Sequence, residues 1–390
     1  MKVFVLLSRF SFPLEKGDKL RAYHQIRTLS KEHKIFLCCL TDKEIKPEYI
    51  QELEPFCERI ELIKLSRIKI FFKLCFGIFS ARPFQYHYFF DRAAQKKIHA
   101  YIESYLPKHI YCQLIRTASY VKAYSVIPKT LDYMDALSAG MRRRAGVSGF
   151  PLNLLFHIEA KRLSRFEAEI FQYFNHHTII SEQDRNEIAH PKGKSINIVP
   201  NGIDESFFQS IVNKKVCDIL FAGNMNYSPN VRAAKFIAEE VMPELSKQGD
   251  FKFLIAGANP NTKVKALKSS SVEVSGWIDD IRTAYGSAKI FVAPMFIGSG
   301  LQNKLLEAMA QGIPCITTSL ANNALGAKDN EEILIAETKQ EFISHILRLS
   351  SNHDEANRIG ACGQKFVRKN YSWESESRIL TELFETQTQY

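Results

Sequence analysis

Residues 294–317, PMFIGSGLQNKLLEAMAQGIPCIT, place a glycine-rich turn, a helix start and a lysine within a few positions of one another. Gly298 and Gly300 allow close approach of a ligand to the backbone and leave φ unrestricted. A helix beginning near Gln302 directs its unpaired N–H groups and the positive end of its dipole at whatever sits on that turn. Lys304 falls in the first helical turn, where a cation opposes the dipole unless an anion is present. A phosphate-bearing ligand accounts for this arrangement. An ordinary strand-helix-strand connection with a lysine by chance accounts for it equally well.

The elements that must position this segment alternate between strand and helix, which predicts parallel α/β architecture. Strands are expected at Lys2 to Leu7, Ile35 to Leu40, Ile60 to Leu65, His109 to Leu114, Lys129 to Leu131, His177 to Ser181 and Ile196 to Val199. Helices are expected at Leu20 to Glu32, Arg92 to Tyr105 and Phe156 to Asn175. The pattern then restarts, with strands at Cys217 to Ala222, Phe251 to Ala256, Val272 to Val274, Ile290 to Ala293 and Cys315 to Thr318. Two doubly wound domains follow, 1–200 and 201–370, with a C-terminal helix in 371–390 free to rejoin the first. Ligands of open α/β sheets bind at the carboxyl ends of strands, so the turns near Gly17 and Gly298 are expected to face one cleft.

A chain of 390 residues, 45% hydrophobic and 24% charged, is an ordinary globular composition of about two domains. No run nears the roughly 18 apolar residues of a membrane span. The start, MKVFVLLSRF, reads as a strand and not as a signal peptide. Eight cysteines without a CxxC spacing suggest reduced core residues of a cytoplasmic protein, with no metal site. Residues 1–200 carry 32 of the 52 basic and 20 of the 42 acidic side chains, so the positive charge belongs to the first half. No acid occurs between Glu61 and Asp91, where Lys64, Arg67, Lys69, Lys73 and Arg82 are interleaved with Phe71, Phe72, Phe76, Phe79 and Phe84. Window 62–90 suits an anionic membrane or a pyrophosphate-bearing acceptor. A core helix with solvated lysines fits the same residues. Nothing in the chain matches a nucleic-acid-binding motif.

These residues together resemble a known family. PNGID at 200–204, FAGNMNYSPN at 221–230, SGWIDDI at 275–281 and SGLQNKLLEAMAQGIPCI at 299–316 resemble glycosyltransferases of the GT-B fold, in family 4 of that enzyme class. FPLEKGDKLRAYH at 12–24, LDYMDALS at 131–138 and SEQDR at 181–185 resemble the branch associated with bacterial exopolysaccharide systems. The resemblance implies transfer of a sugar from a nucleotide-sugar donor, carrying UDP or GDP, to a glycan or lipid-linked acceptor. It implies retention of configuration and no metal or other cofactor. Glu307 would bind the ribose hydroxyls. The amides of Gly300, Leu301, Gln302 and Asn303, with Lys304, would hold the diphosphate, beside Gly298 and Ser299. Gly276, Trp277 and Ile278 would border the base, although simple packing explains Trp277 as well. Gly223 and Asn224 would lie near the phosphates, and Gly17 would let the first-domain loop approach.

Three departures from the family pattern stand out. Ser299 occupies the position, eight residues before Glu307, where an acidic sugar contact is usual. Asn224 follows Gly223 where an Arg is usual, and the next basic residue is Arg232. Lys304, with Arg116 or Arg21 of the first half, would supply the missing charge. Met134-Asp135 stands where many members carry His-Asp, leaving Asp135 and Asp132 as candidates to orient the acceptor hydroxyl or as loop and capping residues. Two other classes fit the same scaffold: a nucleotide-sugar epimerase pairing Asp135 with His24, and a catalytically silent binding subunit.

Overall fold

The computed structural model describes residues 1–209, 211, 214–297 and 300–386. The chain divides into two compact units, Met1–Pro200 with the segment from Trp373 on, and Asn201–Ser372.

The first domain holds a seven-stranded parallel sheet of β1 (Lys2–Leu7), β2 (Lys34–Thr41), β3 (Arg59–Lys64), β4 (His109–Gln113), β5 (Lys129–Asp132), β6 (His176–Ile179) and β7 (Asn197–Ile198), ordered β3-β2-β1-β4-β5-β6-β7. Its central strands are covered on both faces, so they read as unbroken apolar runs. Phe4 and Leu6 of β1, with Phe36, Cys38 and Leu40 of β2, enter one layer. Val3, Val5 and Leu7, with Ile35, Leu37 and Cys39, enter the other. The period of two along a strand sends adjacent Cys38 and Cys39 to opposite faces, where burial raises both thiols. All eight cysteines are free.

The helix expected from Leu20 begins at Gly17, with Asp18 in its first turn favoured by the dipole, and ends at Leu29. Its Ala22, Ile26 and Leu29 cover one face of the sheet beside Leu380 and Phe384 of helix Trp373–Glu385. His24 stacks flat on Trp373 at 4.7 Å, which makes it a packing residue and not half of a catalytic pair. The other face is covered by helices Arg92–Tyr105 and Leu152–Phe171, through Ala94, Ile98, Ile102, Leu163, Phe166 and Ile170.

Helix Arg67–Gly77 corrects the core-helix reading of window 62–90. Ile70 is buried, but Ile68, Phe71, Phe72, Phe76 and the following Ile78 and Phe79 are exposed, Phe79 at 91%. A second exposed apolar run, Phe150, Leu152, Leu154, Leu155 and Ile158, lies on the segment joined to it. Arg162 makes the join by donating from Nη1 to the Gly77 carbonyl at 3.1 Å and from Nη2 to the Ile78 carbonyl at 2.7 Å. Among the described residues no helix is long and apolar enough to cross a membrane.

The second domain holds a six-stranded parallel sheet of β8 (Cys217–Ala222), β9 (Phe253–Ala256), β10 (Val272–Gly276), β11 (Ala288–Ala293), β12 (Cys315–Thr317) and β13 (Leu334–Ile335), ordered β10-β9-β8-β11-β12-β13. In each sheet the strand order reverses between the first strand and its later neighbour, β1 against β4 and β8 against β11. Loops leaving the carboxyl ends there diverge and open a crevice.

Candidate functional site

Three glycines end three adjacent strands of the second domain: Gly223 after β8, Gly257 after β9 and Gly276 closing β10, all with positive φ. A Cβ at Gly257 would lie 2.0 Å from the Gly223 carbonyl oxygen. One at Gly223 would lie 2.7 Å from Asn230 Nδ2 and 3.3 Å from Lys304 Nζ. Neither position accepts a side chain, and backbone forms the floor. Gly223 N–H donates to the Ala256 carbonyl and Gly257 N–H to the Gly276 carbonyl, both at 3.0 Å, which locks the rim together.

Helix Asn303–Ala310 abuts this floor. Leu305, Leu306, Ala308 and Met309 bury its inner face, while Lys304 and Glu307, three residues apart, share another. Gln302 occupies the N-cap but does not cap, because its Nε2 turns back to the Gly300 carbonyl at 2.7 Å. Asn303 Oδ1 accepts from Asn201 Nδ2 at 3.0 Å, tying the helix start to the PNGID turn. Leu301 packs into the domain core. Gly298 and Ser299 lie outside the described residues.

Lys304 and Glu307 are partly buried, and each has a neutral partner. Lys304 Nζ donates to Asn230 Oδ1 at 2.5 Å and lies 4.7 Å from the centroid of the Phe221 ring. Burial pushes its ammonium down to about 7, against a smaller opposing effect of Glu307. Glu307 Oε2 accepts from Tyr285 Oη at 2.7 Å. Burial pushes this carboxyl up to about 7, opposed by the Tyr285 bond and by Lys304. Such an arrangement presents a cation and a carboxylate on one helix face, in surroundings that disfavour both charges until a ligand satisfies them.

Asn224 Oδ1 accepts from Asn226 N–H at 3.0 Å, and its carbonyl accepts from Asn230 Nδ2 at 3.0 Å, so its side chain builds the turn. Trp277 is 59% exposed, with Nε1 on Asp279 Oδ1 at 2.9 Å, which corrects the packing explanation for it. Ile278 packs against the core. Asn230, Tyr285 and Gly257 escaped the residue-level reading. The first falls inside FAGNMNYSPN and the last ends a strand, but their roles arise from long-range neighbours.

In the first domain the structure reassigns two candidates. Arg21 Nε donates to Asp132 Oδ2 at 2.6 Å and Nη2 to Oδ1 at 3.2 Å, with both side chains fully buried. Tyr111 Oη, Thr178 Oγ1 and Met134 N–H also donate to Asp132, and Arg21 Nη1 donates to the Pro200 carbonyl. The pair is closed, so Asp132 is no acceptor ligand and Arg21 no phosphate ligand. Asp135 is half-buried after the positive φ of Met134. Burial first, then the Asp184 carboxylate, pushes its carboxyl up, to about 7. Arg116, after β4, donates from Nε to Gln85 Oε1 at 2.6 Å. Gly17 is exposed, has no positive φ, and a Cβ there would meet nothing within 4 Å, so its own domain does not require a glycine.

Residues 217–352 match the family model described as glycosyl transferases group 1. The matched stretch lies within the second domain. The full chain superposes on GT-B glycosyltransferases: sucrose-phosphate synthase of Thermosynechococcus elongatus at TM-score 0.71 and 15% identity, covering 98% of each chain. Anabaena HepE, solved with UDP and glucose, gives TM-score 0.69 and 11% identity over 98% of this chain and 99% of its own. The doubly wound two-domain expectation therefore holds as the GT-B fold. An uncharacterized 44.6 kDa protein in the cps region of Klebsiella pneumoniae is 25% identical over 178 residues. That match takes in 43% of this chain and 45% of the relative.

Proposed function

We propose that this transferase moves a sugar from a nucleotide-sugar donor to a glycan or lipid-linked acceptor in the synthesis of a bacterial surface polysaccharide. The observation that carries the reading is the pairing of Lys304 and Glu307 beside the glycine floor of the second domain. Glu307, held by Tyr285, accepts hydrogen bonds from the vicinal hydroxyls of the ribose. The diphosphate rests against Gly223 and the uncapped start of helix Asn303–Ala310, where Lys304 and the helix amides neutralise the charge that grows as the sugar leaves. Gly276 and Trp277 border the base. Asp135, whose carboxyl sits near neutrality, orients the acceptor hydroxyl. The configuration is retained and no metal is needed, because the cation and amides take the place of a divalent ion. HepE, with its UDP and glucose, suggests a UDP-sugar as the first donor to try.

The acceptor reaches the site on a membrane surface. Exposed Phe71, Phe76, Phe79, Phe150 and Leu154 lie in two segments, 62–90 and 136–158, that contain no acidic residue. Apolar side chains enter the lipid boundary while the exposed Lys69 and Arg144 meet anionic headgroups.

The test is a panel of nucleotide sugars scored by thermal stabilisation, followed by turnover with cell-envelope lipid extract as acceptor. Stabilisation by one nucleotide series, and release of its diphosphate only when acceptor is present, are expected. Interconversion of free nucleotide sugars without acceptor would instead identify an epimerase. Absence of any nucleotide binding would leave a silent scaffold.

A further inference from the structure

We propose that the first domain binds an oxyanion of the acceptor, a phosphate or a carboxylate, between Arg9 and Arg116 at the carboxyl ends of β1 and β4. This rests on the transferase reading, and it assigns Arg116 to the acceptor and not to the donor diphosphate.

The two guanidinium groups converge. Arg9 Nη1 donates to Asp18 Oδ2 at 2.9 Å, and Arg116 Nη1 lies 3.9 Å from the same oxygen, beyond hydrogen-bond reach. Both stand over the Phe89 ring, with Arg9 5.9 Å and Arg116 5.0 Å from its centroid. Asp18 is fixed: its carbonyl accepts from Gln113 Nε2 at 3.1 Å and its Oδ1 from Lys19 N–H at 3.2 Å. Two cations thus share one carboxylate.

Arg116 is built in and left incomplete. Its side chain is only 10% exposed and Gln85 orients its Nε, yet its enclosed Nη1 has no hydrogen-bond partner among the described residues. A buried guanidinium donor without an acceptor is costly, and packing would ordinarily remove it. The helix start that carries it follows Leu114 at φ 65 and ψ 147, a conformation that strains a branched side chain. The side chain of Arg9 is 38% exposed, so the pair opens to solvent on that side. The planar forks of two arginines match the oxygens of a phosphate or carboxylate in a way one lysine does not. Gln113 of β4 pairs with Asp132 of β5, and Arg116 and Asp135 each follow three residues later, so an acceptor anchored here by its anion has its hydroxyl on the side of the carboxylate proposed to orient it.

The test titrates the full-length protein, saturated with UDP or GDP to fill the donor site, with inorganic pyrophosphate and separately with glucuronate. Wild type is expected to bind at least one, with affinity falling about tenfold or more in Arg116→Gln and in Arg9→Gln. The affinity for UDP or GDP stays within twofold. Pyrophosphate binding would identify a lipid diphosphate headgroup as the source, and glucuronate binding an acidic sugar. Arg9→Gln alters a partly exposed side chain and keeps the test valid if Arg116→Gln unfolds, as a thermal midpoint would reveal. No binding of either anion to wild type, or binding unchanged in Arg9→Gln, overturns the proposal. If neither nucleotide binds, the donor reading fails first. The same titration without nucleotide then decides the arginine pair by itself.

Discussion

Each sheet carries a cation and a carboxylate at its carboxyl edge, fully buried in the first domain and partly buried in the second, and the two sets are finished differently. Arg21 and Asp132 in the first domain are in bidentate contact, with Tyr111, Thr178, the Met134 amide and the Pro200 carbonyl completing them. Burial lowers the guanidinium pKa, but Asp132 outweighs it and holds the group above its ordinary value. Lys304 and Glu307 in the second domain instead lean on neutral Asn230 and Tyr285, and burial drives each toward its uncharged form. A closed set holds a fold together. An open set is costly when empty and useful when a ligand supplies the missing charge and hydrogen bonds.

The most damaging break in this comparison is Asp132→Ala. It strands a fully buried guanidinium and is expected to lower stability by about 3–5 kcal/mol in urea titration. Replacing both partners with Met and Leu should cost much less. Equal losses in the single and double variants would mean that the pair is not a unit.

Lys304→Ala comes next. Turnover should fall about 10²–10³-fold, as when a group that stabilises transition-state charge is removed. The thermal midpoint should hold or rise, because a disfavoured charge has gone. A stability loss like that of Asp132→Ala would place Lys304 among structural residues. Glu307→Gln keeps the shape and removes the charge. Its expected effect is on the order of tenfold in donor KM, with kcat little changed. A fall in kcat alone would move Glu307 away from the ribose.

The smallest effect concerns the surface. Phe76→Ser with Phe79→Ser should lower co-sedimentation with anionic vesicles several-fold and leave stability within about 0.5 kcal/mol, since both side chains are exposed. Unchanged binding at low and high salt would remove the membrane from the account.

The second-domain motif was legible because local sequence makes it: the helix start, its lysine and its glutamate lie within seven residues of Gly300. What completes the motif was not legible. Asn230 and Tyr285 reach Lys304 and Glu307 across 74 and 22 positions, and Gly257 matters only because β9 lies beside β8. In the first domain the sequence offered Arg21, Arg116, Asp132 and Asp135 as equals. Only the pairing of Arg21 with Asp132 across 111 residues separates a structural pair from the groups left open. Composition likewise marked window 62–90 as basic and Phe-rich without revealing that much of the apolar surface of helix Arg67–Gly77 is exposed.

Lys304 acts in this mechanism as a suppressed cation that a diphosphate restores. Calorimetric titration of UDP, and of GDP, at pH 8 in buffers of different ionisation enthalpy tests it most directly. Lys304, pushed down to about 7 in the free protein, is mostly neutral at pH 8, whereas Glu307 is mostly ionised. A bound diphosphate raises the lysine pKa, so binding must take up a proton, and affinity must fall as pH rises from 7.5 to 9. That uptake is expected in wild type and is expected to be absent in Lys304→Met. Nucleotide binding without proton uptake, at an affinity independent of pH and unchanged in Lys304→Met, would contradict it.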